Sequence, residues 1–154
     1  MNSATFEATG GRTTVIKGDS IVQTDGTKVN TSTAGGNTVA DGTKSTETTA
    51  DGQVIKDGTK TNTSTVDENT LVDGAKSNKA TVDSNVVDDG NGNVNTSNAT
   101  SNTITDGTNR STITAGKATI GSSVVDGVNN TFTTGGTNAV KLDGAAGTIK
   151  TGTV

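Results

Sequence analysis

NTVADGTKSTETTADGQVIKDGTK, residues 37–60, holds the pattern that decides the fold class. Asp-Gly pairs stand at Asp41-Gly42 and Asp57-Gly58, 16 residues apart, and the same spacing continues to Asp25-Gly26, Asp73-Gly74 and Asp89-Gly90. Ten residues after each pair comes a second punctuation point, at Gly35-Gly36, Asp51-Gly52, Asp67-Glu68 and Asp83-Ser84. Each unit therefore has two turns. Gly accepts positive φ without a clash and Asp bonds readily to nearby backbone, which suits tight turns.

Aligned on Asp-Gly, the units resolve into columns. Two residues before Asp stand Val39, Ile55, Leu71, Val87, Ile104 and Val124. One residue earlier come Val22, Thr38, Val54, Thr70 and Val86, preceded by an amide column of Asn37, Gln53, Asn69, Asn85 and Asn102. Lys28, Lys44, Lys60 and Lys76 follow the Asp by three residues, and Thr33-Ala34, Thr49-Ala50, Thr65-Val66 and Thr81-Val82 by eight and nine. A low-complexity chain would not keep apolar, amide and cationic positions apart.

The period predicts an all-β fold, a repetitive parallel β-solenoid or β-roll with one 16-residue coil per unit. In that reading Val22, Val39, Val54, Ile55, Leu71, Val86, Val87, Ile104 and Val124 face a narrow common core. Thr ladders cover the strand faces, and stacked amides bond from coil to coil. A local hairpin at each Asp-Gly is the competing reading. Residues 1–18 are read as a lead-in segment, 19–105 as regular coils, and 106–154 as irregular β-structure or connector, where Gly116, Gly121, Gly135-Gly136 and Gly147 add turns.

Composition agrees with strands and turns and removes much chemistry. Of the 154 residues, 27% are hydrophobic and 1% aromatic, and Pro, Cys, His, Trp and Tyr are absent. Val and Thr favour extended backbone. Without Cys there is neither a disulfide frame nor a thiolate metal site. Without His the commonest general base and metal ligand are missing. No apolar run is long enough for a membrane helix. Residues 1–4 lack the basic and apolar regions of a signal peptide, so Met1 is read as the start of an internal fragment. Three or four aliphatic side chains per coil, at roughly 1.5–3 kcal/mol each, fall short of the ordering cost of sixteen residues at roughly 1–2 kcal/mol each. Oligomerisation is expected.

The units Asn37–Lys44 and Gln53–Lys60, with the run Thr137–Thr153, resemble passenger regions of trimeric autotransporter adhesins. The period of 16 is longer than that family's head repeat. The resemblance implies a homotrimer at the bacterial cell surface, with a host receptor such as an immunoglobulin-like adhesion molecule, or a matrix protein, as partner. Neither nucleic acid nor any cofactor is expected.

Lys28, Lys44, Lys60 and Lys76 form the candidate binding surface, a cationic ladder for acidic glycans or matrix. The plainer reading is a solvated face balanced by Asp25, Asp41, Asp57 and Asp73. Asp88-Asp89-Gly90-Asn91-Gly92-Asn93-Val94-Asn95 is rich in oxygen ligands but lacks the EF-hand Gly and Glu, and reads as a turn. Four Asn-X-Ser matches, beginning at Asn30, Asn62, Asn95 and Asn109, follow from composition. No nucleophile–base pair can be built without His or Cys, so catalysis is not expected, and the resemblance implies a non-enzymatic adhesin segment. The alternatives are a phage tail-fibre or tailspike segment binding glycans, and an ice-binding solenoid built on the Thr ladders.

Overall fold

The computed structural model describes residues 2–128, 131–135 and 140–151. Gly136, with residues 137–139 and 152–153 of the run that carries the connector resemblance, lies outside the described residues. Among the described residues there are nineteen strands and no helix.

The period is arithmetic. Between residues 20 and 81 strands of six residues alternate with loops of two, and two strands plus two loops make 16. The chain runs β1 (Ala4–Ala8), β2 (Arg12–Ile16), β3 (Ser20–Asp25), β4 (Lys28–Thr33), β5 (Gly36–Asp41), β6 (Lys44–Thr49), β7 (Gly52–Asp57), β8 (Lys60–Thr65) and β9 (Glu68–Asp73). After β10 (Lys76–Thr81) follow β11 (Ser84–Asp88), β12 (Val94–Asn98), β13 (Ser101–Thr105), β14 (Arg110–Thr114) and β15 (Lys117–Ile120). The last are β16 (Ser123–Asp126), β17 (Thr131–Thr133), β18 (Val140–Asp143) and β19 (Thr148–Thr151).

Consecutive strands pair antiparallel. The β3–β4 register couples Asp25 to Lys28 and Ser20 to Thr33, and β4–β5 couples Lys28 to Asp41. This corrects the parallel solenoid expected from the period. Gly26, Gly42, Gly58 and Gly74 take φ of 60–61° at the first of two loop positions, where a type II′ hairpin turn needs Gly. Each turn reverses the chain onto its predecessor. Both edges of an inner strand such as β4 are then paired with its neighbours in sequence, and no ladder is left for stacking coils.

The second turns are held by their Thr column. Thr65 Oγ1 accepts the amides of Asp67 and Glu68 at 3.3 and 3.2 Å and donates to the Glu68 carbonyl at 3.3 Å. Thr33 repeats the pattern toward Gly35 and Gly36, both at 3.2 Å. These hydroxyls compete with solvent for turn groups that no strand can satisfy.

By backbone contacts the chain divides into two units, one reaching to Gly74 with Lys79–Val82, the other comprising Ala75–Asn78 and the residues from Asp83 onward. The N-terminal unit carries β1–β9 as an antiparallel meander. The C-terminal unit carries β11–β19 in the same manner, with loops that vary in length. No described residue is buried. The columns expected to share one core do not converge. Val54 and Ile55 are neighbours in a strand of period two, so they take opposite faces.

Candidate functional site

In the N-terminal unit one face carries Lys28, Lys44 and Lys60. Register places Asp25, Lys28, Asp41, Lys44, Asp57, Lys60 and Asp73 in one row across β3–β9, signs alternating strand by strand. Lys44 Nζ lies 3.2 Å from Asp57 and Lys60 Nζ 3.8 Å from Asp73, while Arg12 Nε opens the row 3.1 Å from Asp25. Lys76 begins β10. The lysines do not form an uninterrupted cationic ladder; each has Asp beside it, which offsets the field they would project.

Beside the charged row runs a mixed one: Asn30, Val39, Thr46, Ile55, Asn62 and Leu71 across β4–β9. Val39, Ile55 and Leu71 are 49%, 43% and 54% exposed. Amides do bond across strands here, Asn37 Nδ2 donating to Asn30 Oδ1 at 2.9 Å and Asn30 Nδ2 to Gln23 Oε1 at 3.4 Å. Asn62 Oδ1, between Ile55 and Leu71, is shut from water with no hydrogen-bond partner. The opposite face sets Val22, Thr31, Thr38, Glu47, Val54, Thr63 and Thr70 in a row, where Val22 and Val54 are half-buried.

The segment Asp88–Asn95 forms the β11–β12 loop and its flanks. Asp89 Oδ1 accepts the amides of Asn91 and Asn93 at 2.8 and 3.2 Å, and Oδ2 accepts Asn93 Nδ2. These bonds, the Asn93 side chain first, hold the carboxyl below its usual value. Asp106 repeats the motif at the β13–β14 loop, accepting Asn109 Nδ2 at 2.9 Å and the Asn109 and Thr108 amides at 2.6 and 3.0 Å, with the same lowering. Both carboxylates are turn locks. No group of three or more acidic side chains among the described residues is placed to hold a metal.

The C-terminal unit separates its side chains by face. Every charged strand residue of β11–β19, namely Asp88, Arg110, Lys117, Asp126, Lys141, Asp143 and Lys150, shares one face. On that face Lys117, Asp126, Thr131, Thr133, Lys141 and Asp143 line an open groove of about 610 Å³ together with Val124 and Ala145. Lys141 Nζ lies 3.4 Å from Asp143, whose carboxyl is held below its usual value by the Ala146 amide and then by Lys141. Paired charges and hydroxyls on a rigid ladder suit a polar ligand. Val86 and Val124 stand on this face with a row of Thr96, Thr103, Thr112 and Thr119 between them.

The other face of this unit bears no charge on any strand. Ile113, Ala118, Val125, Phe132, Leu142 and Ile149 form one row across β14–β19. Val87, Ile104 and Ile120 lie on the same face. Among the larger side chains exposure runs from 40% at Phe132 to 73% at Ile149. The sequence columns missed most of this row because alignment on Asp-Gly slips by one residue after Asp106. Polar–apolar–polar triplets such as Thr112-Ile113-Thr114, Thr131-Phe132-Thr133 and Lys141-Leu142-Asp143 carry the signal.

No family model, curated protein or solved structure matches this chain.

Proposed function

We propose that the chain is a non-catalytic segment of a bacterial surface adhesin fibre, a homotrimer that spaces and presents a host-binding surface. One observation carries this reading: a repeated antiparallel meander, none of whose described residues is buried, spreads its side chains over exposed surface. The antiparallel pairing departs from the parallel roll of trimeric autotransporter heads, so the support from that family rests on repeat style and composition. The receptor surface is the polar groove around Lys117, Asp126, Lys141 and Asp143 in the C-terminal unit. Its partner is a matrix protein or an immunoglobulin-like receptor outside the cell.

The test is binding of the immobilised chain to a panel of matrix glycoproteins and immunoglobulin-like receptors. Saturable binding that Lys117→Ala with Lys141→Ala lowers at least tenfold is expected. Binding only to free bacterial glycans would transfer the chain to the phage-fibre reading, and binding to neither would sink the adhesin.

The row Thr96, Thr103, Thr112 and Thr119 favours a second reading, in which regularly spaced hydroxyls order water at an ice surface. Thermal hysteresis abolished by Thr103→Lys is its signature; its absence removes the reading.

A further inference from the structure

We infer that the uncharged face of β11–β19 is where one copy of the chain packs against the same face of another copy. The inference rests on the fibre reading only in taking the partner to be a second copy.

Three observations point to that occupant. First, charge is absent from this face and confined to the other. Asn85, Asn95, Ser97, Asn102, Ser111, Ser123 and Thr151 supply its polar side chains, and the rest of it is chiefly aliphatic or aromatic. Second, the apolar residues are contiguous. The row from Ile113 to Ile149 crosses six strands without a polar break, although each member except half-buried Ala118 stays exposed. An antiparallel sheet with a bare apolar side is half of a two-layer structure. Third, the area is sufficient. Nine strands at about 4.8 Å spacing and three to five residues long cover roughly 600 Å² of plane before side-chain relief. Stable interfaces bury about 600–1,000 Å² per partner.

A second copy satisfies the chemistry of this face. Two uncharged faces meeting bury no ion without a counter-ion, which would be expensive. Self-packing uses one patch twice, as closed symmetric assemblies do. Sheets meeting this way lie about 10 Å apart with side chains interleaved. In a trimer the same faces would line a common axis. The lysine face of β1–β9 lacks this character, because its row of Asp and Lys would need matched partners across the interface.

The chain has no cysteine, so single introduced thiols report the contact directly. Ala118→Cys and Val125→Cys place a thiol on the uncharged face; Thr119→Cys and Val124→Cys place one on the opposite face of the same strands. Each variant of the full chain is treated with a short bismaleimide while sedimentation velocity reports mass at tens of micromolar. The expected result is a mass several times 15.2 kDa and cross-linking of the first pair at least tenfold faster than the second. Phe132→Lys with Leu142→Lys returns the mass to one chain, whereas Thr133→Lys does not.

A wild-type chain that stays monomeric overturns the inference, and so does equal or faster cross-linking from Thr119→Cys and Val124→Cys. A monomer that co-sediments with phosphatidylcholine vesicles assigns the face to lipid and overturns it as well. An assembly joined through the other face leaves the fibre reading standing. A twofold mass with fast linking from Ala118→Cys supports the face and removes the trimer.

Discussion

The N-terminal and C-terminal units use the same strand-and-turn grammar and arrive at different surfaces. In β3–β9 charge and apolar groups share one face, because Asp and the residue two before it have the same parity along the strand. In β16 and β18 an apolar side chain stands immediately before Asp, at Val125 and Leu142, on the face opposite the charge, and that face carries no charge. A shift of one residue against the turn thus converts a mixed face into a segregated one. Alternating Asp and Lys flank the exposed aliphatics of the regular unit, an arrangement that opposes burial of that face. The irregular unit has given up that protection on one side.

The sharpest way to break the comparison is to charge both units at equivalent depth. Leu142→Asp places a carboxylate in the contiguous apolar row, whereas Leu71→Asp places one beside Asn62 on a face that already carries Asp73. With the uncharged face covered in the assembly, Leu142→Asp is expected to cost about 3 kcal/mol and Leu71→Asp about 1 kcal/mol or less. Thermal melting at fixed chain concentration reads both. Equal shifts would mean that neither face is covered. A turn change should act alike wherever hairpins form. Gly58→Val puts a β-branched residue at φ 60° and is expected to cost roughly 1–2 kcal/mol, although its Cβ meets no neighbour.

Much of the fold lay open in the chain. The 16-residue period, the Asp-Gly turns and the Thr column each have a structural counterpart at the residues named. Pairing direction was not legible from the period, since a coil of two strands and two turns repeats over the same length as two hairpins. The discriminating information is local: Gly at the first of two loop residues reverses the chain, and neighbours such as Val54 and Ile55 cannot face one core. The candidate groove draws Lys117, Asp126 and Lys141 from three strands, so only the register brings them together.

The two units can also be made more alike. Asn62→Val removes a partnerless carbonyl oxygen and joins Ile55 to Leu71 through a third aliphatic, imitating the row from Ile113 to Ile149. A gain of about 1 kcal/mol is expected, with increased self-association of the N-terminal unit. A loss would show that Asn62 makes a bond across an interface. Acid probes the loops that distinguish the C-terminal unit. Asp89 and Asp106 have carboxyls lowered on folding, so their stabilisation is complete above the unfolded value near about 3.9 and is lost as pH falls through the folded value. Asp106→Ala should therefore melt below wild type at neutral pH, and the gap should close below about pH 4.

The charged row should give the smallest effect. Lys44 and Asp57 side chains are 69% and 54% exposed, so their attraction at 3.2 Å is screened by water and salt. Lys44→Ser with Lys60→Ser is expected to change stability by about 0.5 kcal/mol or less at physiological salt. If the row instead limits association, the same variant should lower solubility without moving the melting temperature, because Asp41, Asp57 and Asp73 lose partners while Val39, Ile55 and Leu71 lose their flanking cations. Light scattering against salt separates the two roles. Greater aggregation at unchanged melting would make the row a guard on the mixed face, and a melting drop of several degrees would make it part of what holds β6 to β7 and β8 to β9.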